Sequence, residues 1–347
     1  MDMIRKTPTT LTVLLLPLIM AATLLSTRVQ YQINDAGFLD TSTGLARQPF
    51  LSGAIGAPVS LPAFPNQTLS AYYRLTARSG TVPVELVTIP AGEFLMGSNS
   101  DDRPETSPER LVYLDTYTIY KTPVTNAHFA EFIYQTGYQT LAEQQGWSFI
   151  GVNLAQYRGA YWAAPHGLGS SLLGQSDHPV FHVSWLDASA YCAWAGGALP
   201  TEAQWEKAAR GTDGRTFPWG NAEVTAESAN FCDVNCPAAW AITALDDGYA
   251  TLAPVGSFPA GASPYGVLDM AGNINEWVAD WRDEGYYAVA PDVNPTGPDT
   301  GDFKMERGGS WYSGWTNLRA FSRSNYETID HSHDMEGFRC VMPVSQP

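Results

Sequence analysis

The sequence predicts an α+β fold with little regular secondary structure. Three observations carry that expectation: short strand-like runs near Val84 to Tyr120 and Lys304 to Trp311, three short helices between Thr125 and Gly211, and a second half dominated by loops rich in Gly, Pro and aromatic residues. Of 347 residues, 12% are aromatic and only 16% charged, a composition that folds and does not remain disordered. The formal net charge is -16, and the 19 basic residues are scattered, which argues against a nucleic-acid surface. Solubility alone accounts for such acidity, although a calcium protein also needs an excess of carboxylates.

At the N-terminus, Arg5 and Lys6 precede an apolar run from Pro8 to Leu25 that is long enough to span a bilayer as a helix. The charges before it put the N-terminus inside and everything after Arg28 outside. Residues 1–28 are therefore expected to form a transmembrane anchor. A cleaved signal peptide is the competing reading, but Ala21 to Thr27 offers no clean small-x-small cleavage site. Residues 29–83, rich in Pro, Gly, Ser and Thr, are expected to be an extended linker or arm, and residues 84–347 the folded domain.

The domain opens with two strand-like runs around Pro90-Ala91-Gly92 that suit a hairpin, and Leu111 to Tyr120 alternates enough for a further strand. Thr125 starts a helix in which Phe129, Phe132 and Ile133 share a face and after which Gly137 follows. Trp185, Ala188 and Cys192 recur at helical spacing over Trp185 to Trp194. Thr201-Glu202-Ala203-Gln204 is a capping box, Trp205, Ala208 and Ala209 make a buried stripe, and Gly211 ends that helix.

Gly266 to Trp281 places oxygen ligands in a bend. Asp269 and Glu276 flank Ala271-Gly272-Asn273, so the backbone can fold between two carboxylates and turn carbonyls toward a hard cation. If a helix follows Glu276, Trp277 and Trp281 lie on one face of it as an apolar floor; a solvated acidic turn capping that helix is the plainer alternative. The four cysteines, Cys192, Cys232, Cys236 and Cys340, permit two disulfides in an oxidising compartment.

Seven segments together carry a resemblance. Ile-Pro-Ala-Gly-Glu-Phe-Leu-Met-Gly-Ser from Ile89, Pro-Val-Thr-Asn from Pro123, His-Pro-Val-Phe-His-Val-Ser-Trp from His178, Leu-Pro-Thr-Glu-Ala-Gln-Trp-Glu from Leu199, Met-Ala-Gly-Asn-Ile-Asn-Glu-Trp from Met270, Arg-Gly-Gly-Ser-Trp from Arg307 and Gly-Phe-Arg-Cys from Gly337 resemble, in order, the signature blocks of the formylglycine-generating enzyme family, the sulfatase-modifying factor domain. The resemblance implies a compact relative of the C-type lectin fold. It also implies two calcium sites: Asp269, Gly272, Ile274 and Glu276 in one, and Asn230, Phe231, Asp247 and Tyr249 in the other, with carboxylates mixed with carbonyls as calcium prefers. The Asp246-Asp247-Gly248 stretch would form a turn in either case. By the same resemblance Cys192 pairs with Cys340, and Cys232 and Cys236 are close enough in sequence to bridge locally.

The family's oxidase chemistry needs two cysteines, five positions apart, that bind monovalent copper, a soft ion that requires thiolates. Here Asn317 and Ser322 stand near those positions, and no cysteine lies between Cys236 and Cys340. Sulfatase-modifying activity is therefore not expected. The six histidines are His128, His166, His178, His182, His331 and His333. His178 and His182 flank Pro179 and cannot share a helix, and His331 and His333 sit in a polar stretch before Gly337. The expected function is a membrane-anchored, calcium-stabilised extracytoplasmic module serving as an accessory subunit or recognition element of a membrane-protein complex. The alternative is a periplasmic modifying enzyme or oxidoreductase of the siderophore-maturation kind, using an aromatic cleft near Trp311, Trp315, Arg319 and Arg323; those two arginines are otherwise expected to pair with core carboxylates.

Overall fold

The computed structural model describes residues 82–99, 104–151, 153–323 and 325–344. The N-terminal apolar run and nearly all of the arm lie outside the described residues. Among the described residues no helix is long and apolar enough to cross a membrane.

The chain opens with β1 (Leu86–Ile89) and β2 (Gly92–Met96), followed by β3 (Arg110–Leu114) and β4 (Tyr117–Tyr120). The strands nest: β1 pairs antiparallel with β4, and β2 with β3. The expected hairpin between the first two does not form, and the run from Leu111 to Tyr120 divides into two strands. Pairing with β4 and β3 leaves Pro90 to Gly92 as a link between two sheets, and Lys207 Nζ ties that link down by donating to the carbonyls of Pro90 and Gly92, each at 2.8 Å.

Helix α1 (Asn126–Thr136) and a short α2 (Leu141–Gln145) come next, then the hairpin β5 (Trp147–Ile150) and β6 (Ala155–Arg158), α3 (Trp185–Trp194) and α4 (Glu202–Arg210). Each of these helices is started by a Ser or Thr whose hydroxyl accepts from the third helical N–H while that residue's side chain reaches back to the cap: Thr125 with His128, Thr140 with Glu143, Ser184 with Asp187 and Thr201 with Gln204.

The remaining chain forms β7 (Asn275–Trp281), the short α5 (Tyr286–Val289), β8 (Lys304–Arg307), β9 (Asn325–Glu327), β10 (Glu336–Phe338) and β11 (Val341–Met342). A four-stranded sheet has the order β10-β7-β8-β9, with β10 parallel to β7, and β11 joins β1 and β4 in a second sheet. The segment after Glu276 is thus a strand and not the expected helix. Residues four apart share a side in a strand as well, and the pairing of β7 with β8 and β10 decides the matter.

Among the described residues three apolar clusters result, a small one of Phe217, Ala229, Phe231, Ala271 and Leu318 and two larger ones. One is aromatic, with Phe129, Phe132, Tyr191, Trp277 and Phe338 packed around α1 and α3. The other packs Trp205, Ala208 and Ala209 of α4 against Ile89, Phe94, Val278 and Met305. The polar face of α4 is buried too. Glu202 and Glu206 receive Arg307 at 2.7 and 2.8 Å, and Arg323 Nε reaches Glu202 at 2.8 Å. Buried charges persist only when matched in this way.

Candidate functional site

The bend ahead of β7 is built by residues that accept left-handed backbone. Asp269, Gly272 and Asn273 have φ of 56°, 75° and 64°. Gly272 is required for a second reason, since a Cβ there would fall 2.0 Å from the Asn230 carbonyl oxygen. Its N–H donates to Gly308 O at 2.9 Å, and its own carbonyl accepts from Ile274 N–H at 2.8 Å. Asp269 Oδ2 accepts from Gly256 N–H at 2.6 Å. Burial pushes the Asp269 carboxyl up to about 6, although Gly256 and the Arg339 guanidinium pull the other way.

Glu276 is fully buried and already matched. Arg339 grips it with Nε on Oε2 and Nη2 on Oε1, both at 2.6 Å, while Trp205 Nε1 donates to Oε2 at 2.8 Å. The same guanidinium donates to the carbonyls of Leu268 at 2.9 Å and Asp269 at 3.2 Å, and on its other edge to Tyr120 and Lys121. Arg339 therefore sits among the oxygens of this bend as a built-in cation.

The second expected loop abuts the first, because Asn273 N–H donates to Asn230 O at 2.8 Å and Asn230 Nδ2 donates to Asn273 Oδ1 at 3.1 Å. Asn230 is 1% exposed, and its Oδ1 has no hydrogen-bond partner. Asp247 accepts Phe231 N–H on one oxygen at 2.8 Å and Tyr249 N–H on the other at 2.9 Å. Burial pushes its carboxyl up to about 6, and the neighbouring charges of Asp233 and Asp246 add to the rise. An orphaned amide oxygen beside a carboxylate that lacks a cationic partner fits a hard cation; the Glu276 loop, which holds its own cation, fits one less well. Among the described residues no three His, Cys, Asp or Glu side chains converge as a metal cluster, so a cation here would draw on amide and carbonyl oxygens as well. The four cysteines form the bridges Cys192–Cys340 and Cys232–Cys236.

The segment from Trp311 to Arg323 runs alongside. Asn317 lies in a turn with its N–H on Gly314 O, and Ser322 is buried with its N–H on Arg319 O. Trp315 is half exposed with the Arg319 guanidinium over its ring at 4.6 Å, and Trp240, which follows the Cys232–Cys236 bridge in the chain and is also half exposed, donates to Tyr312 O at 3.1 Å. Arg323 turns inward to Glu202 and stacks on Tyr287 at 4.2 Å, so it belongs to the core network and not to a cleft. A depression of about 420 Å³ lies elsewhere, between Val84, Lys121, His128, Asp177, Gly256 and Leu268.

The histidines divide. His178 pairs with Asp177 at the surface, whereas His182 is buried with φ of 58°. Its Nδ1 shares a hydrogen bond with Ser148 Oγ at 2.8 Å, and burial, aided by His333, pushes its pKa down to about 3. His331 meets Glu336 at 2.6 Å and stacks with His333 at 5.9 Å. Glu336 and Glu306 are both driven well up by burial. His331, His333 and Glu336 are neighbours in sequence, but the approach of His182 and Glu306 to them, like the gripping of Glu276 by Arg339, was not readable from spacing, because those residues come from separate parts of the chain.

Residues 74–344 match the model of the sulfatase-modifying factor enzyme 1-like domain. The chain is 39% identical over 288 residues to the formylglycine-generating enzyme of Thermomonospora curvata, covering 74% of this chain and 92% of that protein. It is 35% identical over 289 residues to the inactive C-alpha-formylglycine-generating enzyme 2 of Bos taurus, covering 76% and 90%. Among solved structures, PvdO from Pseudomonas aeruginosa superposes with a TM-score of 0.60 at 25% identity, covering 75% of this chain and 95% of that one.

Proposed function

The chain belongs to the sulfatase-modifying factor family, and from that premise we propose that it is a member without the family's oxidase chemistry: a membrane-anchored, extracytoplasmic, calcium-stabilised module that serves a larger membrane complex as an accessory subunit or recognition surface. One observation carries the reading. The segment that holds the family's paired thiols has Asn317 and Ser322 instead, and every cysteine of the chain is already in a disulfide. An amide and a hydroxyl do not hold monovalent copper. A relative of similar identity bears the name inactive, which supports the reading.

Calcium would be held by Asn230, Phe231, Asp247 and Tyr249; the set Asp269, Gly272, Ile274 and Glu276 fits it less well, because Arg339 already takes both oxygens of Glu276. The contribution of the ion when bound is to fix loops that carry little secondary structure. The aromatic rim of Trp240, Tyr312 and Trp315 is the surface such a module would present. The alternative, a periplasmic modifying enzyme or oxidoreductase of the siderophore-maturation kind, has support in the likeness to PvdO over 95% of that chain.

The test is purification of the full chain in mild detergent. A stable stoichiometric partner is the expected result, and the chain should stay with the membrane through a high-salt wash because an apolar span is indifferent to screening. A sulfatase peptide carrying the target cysteine should come back unoxidised. Formylglycine in that peptide would overturn the non-catalytic reading, and release into the soluble fraction would overturn the anchor.

A further inference from the structure

We infer that Asp233, framed by the small Cys232–Cys236 disulfide ring, is the positioning residue of the Asn230–Asp247 cation loop. The inference rests on the calcium reading of that loop and adds a residue and a covalent frame to it.

Asp233 is 1% exposed although its neighbours Val234 and Asn235 face solvent. The bridge closes over four residue steps, and inside it Cys236 N–H returns to Asp233 O at 3.2 Å. That ring turns the Asp233 carboxylate inward. Its Oδ1 accepts from Asn235 N–H at 2.8 Å, and its Oδ2 accepts from the backbone N–H of Asp247 at 2.7 Å. Asp233 thus fixes the main chain of the very residue whose side chain points back at Phe231 and Tyr249. A carboxylate buried beside Asp247 works against the charge of Asp247 unless a cation is near both.

The second observation comes from across the loop. Asn230 Oδ1 is buried and lacks a partner, while Asn230 Nδ2 is anchored on Thr251 O at 2.7 Å, so the oxygen's direction is set by the amide. An oriented acceptor without a donor next to a surplus of buried negative charge is what a cation site lacks only its ion to complete. The ring is also tied to its surroundings through Cys232, whose N–H donates to Ser313 O and whose carbonyl accepts from Ile242. Opening the bridge frees the Asp233 to Asn235 turn, releases the Asp247 N–H, and leaves the ligating carboxylate without a fixed backbone. Loss of such an outer support costs metal affinity by about 10- to 100-fold.

The experiment titrates the full chain, in mild detergent, with calcium alone by calorimetry, and records melting in chelator for every variant. Asp247→Asn identifies the heat that belongs to this loop. Asp233→Asn and the double variant Cys232→Ser/Cys236→Ser should each raise the Kd of that phase by about tenfold or more. A merely structural role would lower melting in chelator and leave that Kd unmoved, and this result overturns the inference while the calcium reading stands. Should the double variant not fold, Asp233→Asn carries the test alone. If the wild-type chain takes up no calcium, the calcium reading falls first and the inference falls with it.

Discussion

The two oxygen-rich loops touch each other and have been given opposite electrostatic solutions. The bend before β7 encloses a carboxylate, Glu276, and satisfies it with Arg339, so both charges are buried and both are matched at 2.6 Å. The loop around Asn230 and Asp247 buries carboxylates of Asp233 and Asp247 whose partners are backbone N–H groups and the Asn235 amide, none of them charged, and leaves Asn230 Oδ1 empty-handed. A bonded guanidinium is permanent, whereas an exchangeable ion depends on its concentration. On the calcium reading proposed above, the stability of one loop is intrinsic and that of the other conditional.

The largest expected effect lies on the intrinsic side. Glu276→Gln keeps the shape and the acceptor for Trp205 but strands a buried guanidinium, and breaking such a pair costs about 3–5 kcal/mol. The loss, read by denaturant unfolding, should be the same in calcium and in chelator. A loss that appears only in calcium would move Glu276 to the conditional side and erase the contrast. Next comes the Cys192–Cys340 bridge, which closes a loop of 148 residues and holds the neighbour of Arg339 in place. Replacing both cysteines by alanine should cost about 2–5 kcal/mol, again without regard to calcium.

On the conditional side, calcium at about a hundredfold above its Kd should add about 2.7 kcal/mol to unfolding. Chelation should lower the melting temperature by several degrees, and Asp247→Asn should remove most of that response while Asp269→Asn removes less. Equal losses from the two variants would show that both loops bind with similar weight despite Arg339.

What the sequence revealed and concealed follows the same line between local and distant. The helix starting at Thr201 was legible from its capping box and those from Thr125 and Trp185 from the spacing of their apolar residues, whereas the short α2, capped in the same way by Thr140 and Glu143, was not expected because one turn carries no periodicity. The loop residues were legible as a set because Asp269, Gly272 and Glu276 lie in one bend. The strand after Glu276 was not, since Trp277 and Trp281 satisfy a helical and an extended spacing equally and their partners β8 and β10 lie far along the chain. Nor was the ion pair: Arg339 is 63 residues from Glu276, and no periodicity connects them. The early hairpin failed because β1 and β2 each find a partner further along the chain, β4 and β3, and local turn residues do not reveal that choice.

The smallest effect is expected from acid, and it reaches the intrinsic side through His182. That residue's N–H donates to His333 O at 2.9 Å, within the turn that leads into β10 and Arg339. With a folded-state pKa pushed down to about 3, His182 stays neutral in the native protein, while the unfolded chain takes up a proton below the ordinary histidine value of about 6.5. The unfolded state therefore binds more protons, and stability falls as pH drops through that window, by about 2 kcal/mol between pH 7 and pH 5. Burial holds His331 and His333 down in the same sense. Glu306 and Glu336 act against them, because carboxyls raised by burial bind more protons when folded and gain stability as the pH falls toward their unfolded value. The total slope mixes both signs, so the measurement that isolates His182 is a difference. His182→Asn keeps a residue that tolerates left-handed backbone and removes the titrating ring. Its unfolding free energy, followed from pH 7 to pH 5 in chelator, should fall less than that of the wild type by about the same 2 kcal/mol. Parallel pH profiles for the two proteins would show that His182 titrates alike in the folded and unfolded chain and contributes nothing to the acid response.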